Sequence, residues 1–132
     1  MYRRRSMTEI QALLLIKSIL ESADIHGIEH ILAEDCEYMS TGRGIIGRNR
    51  NESIEFLSSM TESIKADNVP VTCKVMHITD VYEEDALFYE GRHGLTVSYE
   101  SGDNYVYMIF VDVNDEGLVD RIVSSQENYS IE

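Results

Sequence analysis

No apolar run in the chain approaches the roughly 18 residues that a membrane-spanning helix needs. The longest, "ALLLIKSIL" at 12–20, is interrupted by Lys17, so no membrane partner is expected. Basic residues are scarce: 11 lysines and arginines face 24 acidic residues, for a formal net charge of −13. Phosphate contacts demand a positive surface, which argues against nucleic acid as a partner. The local exceptions are Arg3, Arg4 and Arg5, and the group Arg43, Arg48 and Arg50. Only two cysteines occur, Cys36 and Cys73, too far apart for a metal-ligand spacing. They are expected to be reduced thiols of a cytoplasmic protein, nucleophilic only with a base nearby, and the sequence shows none. Repeats and low-complexity linkers are also missing. What is present is an ordinary globular balance, 43% hydrophobic and 27% charged over 132 residues. That length suits one domain spanning 1–132, large enough for a real core but too small to cover both faces of a sheet easily. The opening "MYRRRS" lacks a secretory core and reads as a disordered basic arm over 1–7, with Met7 as an alternative start.

Periodicity divides the chain in two. Thr8 followed by Gln11 is a capping-box signal, and Leu13, Ile16, Ile19 and Leu20 recur at helical spacing, predicting a helix over about 8–22. Asp24 can cap a short second helix carrying Ile25, Ile28, Ile31 and Leu32 on one face. "CEYMST" reads as a strand leading into a glycine-rich loop. Asn49 with Glu52 then opens a third helix striped by Ile54, Leu57, Met60 and Ile64. From Val69 onward four segments are rich in β-branched and aromatic residues, separated by the turn signals "EED", "SGDN" and "NDEG". Helices first and antiparallel strands last make an α+β domain. In "YVYMIF", Tyr105, Tyr107 and Ile109 point to one face, and Val106, Met108 and Phe110 to the other. Both faces are apolar, and three helices cover one, so a homodimer packed through the second is expected.

Two literal motif matches need testing. Gly42-Arg43-Gly44-Ile45-Ile46-Gly47 spells the G-x-G-x-x-G of dinucleotide turns. Its preceding strand carries Glu37 and Ser40, unlike a buried parallel strand, and all three glycines precede the cap at Asn49 instead of opening the helix. The reading preferred is a sharply bent loop whose arginines can bind an anion beside the following helix's N-terminus. His26-Gly27-Ile28-Glu29-His30 spells the H-x-x-E-H of inverted zinc peptidases. On a helical wheel both histidines point away from the apolar face, and no third ligand is evident, so no metal is expected. No cofactor is expected either.

The element order resembles the nuclear transport factor two-like superfamily, which includes SnoaL-like polyketide cyclases and ketosteroid isomerase. The stretches "DIHGIEHILAEDCEYMS", "GIIGRNRNESIEFL" and "YVYMIFVDVNDEGLVDRI" carry the resemblance, from about Thr8 to Gln126. It implies a cystatin-like fold: a cone-shaped, curved antiparallel sheet wrapped on three N-terminal helices, with a pocket at the open end. Members use that pocket for isomerisation, cyclisation, dehydration or epoxide opening, or merely for binding, and many are dimers. It also implies that Gly47-Arg48 simply precedes the third helix. An isomerase places a tyrosine, a protonated acid and a proton-moving carboxylate in this pocket. The resemblance maps those places onto Ile16, Ile109 and Ser40, none of which can do the work. It points Tyr38, Ser40, Tyr105 and Tyr107 into the pocket, beside Ile16 and Ile109, as ligand-binding residues. Tyrosines there can donate hydrogen bonds to a carbonyl-bearing ligand, or simply fill the core.

On the strand preceding "YVYMIF", Glu90 and Arg92 share one side and Tyr89 and His93 the other, with Gly91 and Gly94 expected to form a register-shifting bulge. If His93 faces the pocket, an acid–base role like that in scytalone dehydratase follows; a structural or exposed histidine is the plainer reading, and His77 is weaker still. Two functions remain open. One is a SnoaL-like protein binding a small apolar or amphipathic metabolite, with or without lyase, isomerase or hydrolase activity. The other is a non-catalytic dimeric interaction domain whose cone is filled by its own side chains. A cavity beside Tyr38, Tyr105 and Tyr107 favours the first, a closed core the second.

Overall fold

The computed structural model describes residues 8–68, 70–81, 84–101, 103–125 and 129–131, and the side chains of these except at 84–85, 99–101, 103–106 and 129–131. The expected arm at 1–7 lies outside the described residues. Helix α1 runs Glu9–Ser22 behind the capping box that Thr8 and Gln11 predict, with both reciprocal hydrogen bonds in place. Its inner side, Ala12, Leu13, Ile16 and Leu20, is buried. Helix α2 runs Arg50–Asp67, opened by Asn49, whose side chain accepts from the Glu52 amide at 2.9 Å.

The expected second helix is not formed. A single 3₁₀ turn, Ile28–His30, stands in its place, and Leu32 already belongs to a strand. The chain therefore has two α-helices among the described residues, where three were expected.

The strands are β1 (Leu32–Ser40), β2 (Gly44–Gly47), β3 (Val71–Val81), β4 (His93–Ser101), β5 (Asp103–Val113), β6 (Val119–Ser125) and β7 (Tyr129–Ile131). They form a curved, open sheet in the order β2-β1-β6-β5-β4-β3-β7. The sheet is mixed, not purely antiparallel: β1 runs parallel to β6, with Tyr38 opposite Ile122 and Ser40 opposite Ser124. Two of the predicted separators close hairpins. β4 and β5 pair from Leu95 opposite Ile109 to Ser101 opposite Asp103, and Asn114 Oδ1 accepts from the amides of Glu116 and Leu118 in the turn before β6.

Helices α1 and α2 lie on one face of the sheet, α1 over β3–β5 and α2 over β1–β2. Between them is the main core, with Cys36 and Tyr38 from β1, Leu95 and Val97 from β4, and Tyr107, Ile109 and Val111 from β5. The alternation read in "YVYMIF" holds where side chains are described, since Met108 and Phe110 belong to a separate cluster on the other face. That second cluster has cover from the chain itself. Residues Glu84–Tyr89 form a 3₁₀ segment, not the start of a strand, and bring Ala86 and Tyr89 onto Met108 and Phe110. Tyr89 stacks on Phe110 at 5.0 Å between ring centroids.

The bulge expected at Gly91 and Gly94 is absent. β3 and β4 pair without interruption from Val71 opposite Tyr99 to His77 opposite His93. Gly91 belongs to the tight turn before β4, where its amide donates to the Ile78 carbonyl, and Gly94 is a regular strand residue. Glu90 and Arg92 consequently precede the strand and do not alternate along it.

Candidate ligand pocket

A cavity of about 320 Å³ opens between α2 and the β1–β2 corner. Its position follows from local chemistry at Gly47, the last residue of β2. A Cβ there would stand 3.1 Å from the Ser53 amide nitrogen and 3.2 Å from Tyr38 Cβ, a crowding between the start of α2 and β1 that glycine avoids. The buried Ser53 hydroxyl completes the junction by donating to the Cys36 carbonyl at 2.8 Å. The "GRGIIG" segment is thus the β1–β2 hairpin, with positive φ at Gly42 and Gly44 and an antiparallel partner in β1. A dinucleotide turn would instead lead from a parallel strand into a helix.

One wall of the cavity is apolar: Ile46 from β2 and Phe56, Met60 and Ile64 from α2. The opposite wall is a row of hydroxyls, with Tyr38 and Ser40 on β1, Ser124 beside them on β6, and Tyr107 on β5. Tyr38 is buried, and its ring stacks on Phe56 at 5.8 Å between centroids. Burial raises its pKa; the hydrogen bond with Ser124 and the positive charge of Arg43 pull the other way without reversing the shift. Tyr38 is therefore a phenol at neutral pH, a hydrogen-bond donor and not a base. The Tyr107 hydroxyl donates to the Met60 thioether at 2.9 Å, a weak acceptor that a better one from a ligand would replace. Arg43 in the hairpin turn and Asp67 at the end of α2 bring the two charges to the cavity.

Three of the six residues expected to bind a ligand, Tyr38, Ser40 and Tyr107, meet in this cavity. Ile16 and Ile109 do not: both are fully buried between α1 and the sheet. The side chain of Tyr105 lies outside the described residues. His93 is elsewhere, at the start of β4, where its amide donates to Glu9 Oε1 and its ring lies 5.6 Å from that of His77. It is four residues along β4 from Val97, the partner of Tyr107, or about 13 Å at the rise of a strand.

The α2 residues of the cavity were not singled out as a set in the sequence, although their spacing carries a signal. Phe56, Met60, Ser63, Ile64 and Asp67 recur at i, i+4, i+7, i+8 and i+11, a helical face that shares Met60 and Ile64 with the predicted stripe of Ile54, Leu57, Met60 and Ile64.

The other chemically suggestive groups resolve into structure. His26 and His30 share no α-helical face, His30 meets only Glu29 at 3.5 Å, and no group of three metal-ligating residues occurs among the described residues. Cys36 and Cys73 are free and buried, and burial pushes each thiol up to about 12. Arg92 is held by Glu9 at 2.6 Å and Asp112 at 3.0 Å, over the faces of Phe88 and Tyr89. Arg121 pairs with Glu37 at 2.9 Å. No helix among the described residues is long and apolar enough to cross a membrane.

No protein-family model matches the sequence, and no curated protein does. Solved structures do. An NTF2-like protein of unknown function from Mesorhizobium loti superposes with a TM-score of 0.66 at 9% identity, covering 97% of this chain and 98% of that one. A steroid delta-isomerase from Pseudomonas aeruginosa gives 0.62 at 12% identity over 91% of this chain and 80% of that one. An LEH-like epoxide hydrolase from M. tuberculosis gives 0.58 at 16% identity over 90% and 82%. Identities this low speak for the backbone and not for the chemistry. On the architecture the resemblance seen in the sequence and the superpositions agree: the chain has the NTF2-like fold.

Proposed function

We propose that this protein binds a small amphipathic metabolite in the cleft between α2 and the β1–β2 corner. The observation that carries this reading is the cavity itself, apolar on its α2 side and lined on its sheet side by the hydroxyls of Tyr38, Ser40, Tyr107 and Ser124. A core filled by its own side chains, the condition of the interaction-domain alternative, would leave no such space. About 320 Å³ is at the small end of ligand pockets, which run from roughly 300 to 1,000 Å³. A ligand carbonyl or hydroxyl would take the phenol of Tyr38 as donor, and its hydrocarbon part would lie against Phe56, Met60 and Ile64.

The steroid delta-isomerase and the epoxide hydrolase share this backbone, but the cavity residues favour binding over their kind of chemistry. The lining contains no histidine, cysteine or lysine among the described residues, and Asp67 is its one carboxylate, on an exposed helix end. A proton-transfer site wants a base with a pKa brought near neutrality, and a buried phenol shifted upward is the reverse. His93 enters this reading only as a remote residue.

The same reading keeps the protein a homodimer paired through the outer sheet face. Leu87 and Phe88 stand exposed there beside the half-buried Met39 and Met76, although Met108 and Phe110 already have cover. Native mass spectrometry of the protein as purified, compared with the denatured sample, tests both parts. A discrete extra mass that disappears on denaturation, and that a Tyr38→Phe variant retains less, supports the pocket. Identical masses, and no thermal stabilisation by any amphipathic compound tried, would refute it. A monomer at micromolar concentration would remove the dimer.

A further inference from the structure

We propose that the ligand is a monocarboxylate whose carboxylate is held by Arg43 at the hairpin turn, with its apolar body along Phe56, Met60 and Ile64. This rests on the pocket reading above and adds the charge of the ligand to it. In a chain of net charge −13 arginines are few, and Arg43 is the one that lines the cavity; Arg48 and Arg50, for which no ion pair is seen among the described residues, do not line it. Arg92 is clamped by Glu9 and Asp112, and Arg121 by Glu37. Arg43 lines the cavity, is exposed, and has no carboxylate within salt-bridge distance among the described residues. It is also near enough to the Tyr38 hydroxyl for its charge to bear on that group.

The place for the anion is beside Arg43, whose charge reaches Tyr38, the hydrogen-bond partner of Ser124. A carboxylate placed there would take the guanidinium and the Tyr38 hydroxyl as donors at once, the planar fork that arginine offers and lysine does not. Asp67 lies at the C-terminal end of α2, where the helix dipole adds to its negative charge. A second carboxylate on the ligand would meet that field, which selects monoanions over dianions.

Octanoate, octanamide and octylamine have the same chain and differ in charge, so calorimetric titration of the three separates the contributions. At low salt, octanoate is expected to bind about tenfold more tightly than octanamide, an advantage that shrinks as salt is added. Arg43→Gln should remove most of the advantage of octanoate over octanamide, with a much smaller effect on octanamide itself. Arg43→Lys should recover only part of the difference. Arg43 is exposed in a turn, so neither variant threatens the fold, and circular dichroism checks this. Equal affinity of octanoate and octanamide would overturn the carboxylate assignment while leaving the pocket standing, and tighter binding of octylamine would hand the charge selection to Asp67. Binding of none of the three would sink the pocket reading and this proposal together.

Discussion

At the scale of single residues, the sheet's outer face turns on Gly94. A Cβ added there would stand 2.6 Å from Met108 Sδ and 2.9 Å from Phe110 Cε1, inside contact distances that real side chains keep. Met108 is flexible and can yield, but Phe110 is fixed by the stacked ring of Tyr89 and by its own burial. Two effects oppose each other in Gly94→Ala. Loss of chain entropy in the unfolded state stabilises by about 0.4–1 kcal/mol, and overpacking costs about 1–3 kcal/mol. The second wins, so the variant should be destabilised by about 1–2 kcal/mol, visible as a lower urea midpoint at unchanged slope. A midpoint at or above wild type would mean that the cluster yields freely. The sequence marks Gly94 as special for the wrong reason: a glycine in a strand reads as a bulge, and the overhanging neighbours that require it come from a strand 14 residues on.

At the scale of elements, what is local was legible and what is long-range was not. Both α-helix starts are written in three-residue spacings, Thr8 to Gln11 and Asn49 to Glu52, because a cap needs only its own first turn. The parallel pairing of β1 with β6 joins Tyr38 to Ile122, and nothing in either strand's alternation distinguishes a parallel partner from an antiparallel one. The segment Glu84–Tyr89 has the aromatic content of a strand, and only its docking on Phe110 makes it a 3₁₀ cover. Part of the pocket was likewise visible: the family resemblance points Tyr38, Ser40 and Tyr107 into it, while the contribution of Phe56 depends on how α2 is rotated against β1. That rotation is weakly held. α2 buries only Ser53, Leu57 and Thr61, where α1 buries four apolar residues. Its cap at Asn49, supported by the Arg48 amide donating to Glu52 at 3.0 Å, therefore matters more than a cap usually does. Asn49→Ala should cost about 1 kcal/mol. Native-state hydrogen exchange should show the loss concentrated in the amides of α2, with those of α1 little changed. Equal loss of protection in both helices would show that α2 opens only with the whole domain.

For the molecule as a whole, the two buried thiols make stability fall on the alkaline side. Cys36 and Cys73 are each pushed by burial from an ordinary value of 9.0 to about 12. Between those values the unfolded chain releases both protons and the folded chain keeps them. The folded state then holds more bound protons, so unfolding free energy decreases with rising pH. The contribution is fully present below pH 9 and is lost as pH climbs toward 12, by up to about 1.4 kcal/mol per pH unit for each thiol. Buried Tyr38 acts in the same direction through its own raised pKa. A chain already at −13 also gains negative charge in this range, and general self-repulsion would lower stability as well. The thiols can be separated from that background. Urea midpoints between pH 8 and pH 10 should fall steeply for the wild type and less steeply for the Cys36→Ala/Cys73→Ala double variant, whatever its starting stability. Parallel curves for the two proteins would assign the whole alkaline loss to net charge and tyrosine, and would mean that water reaches the thiols in the folded state.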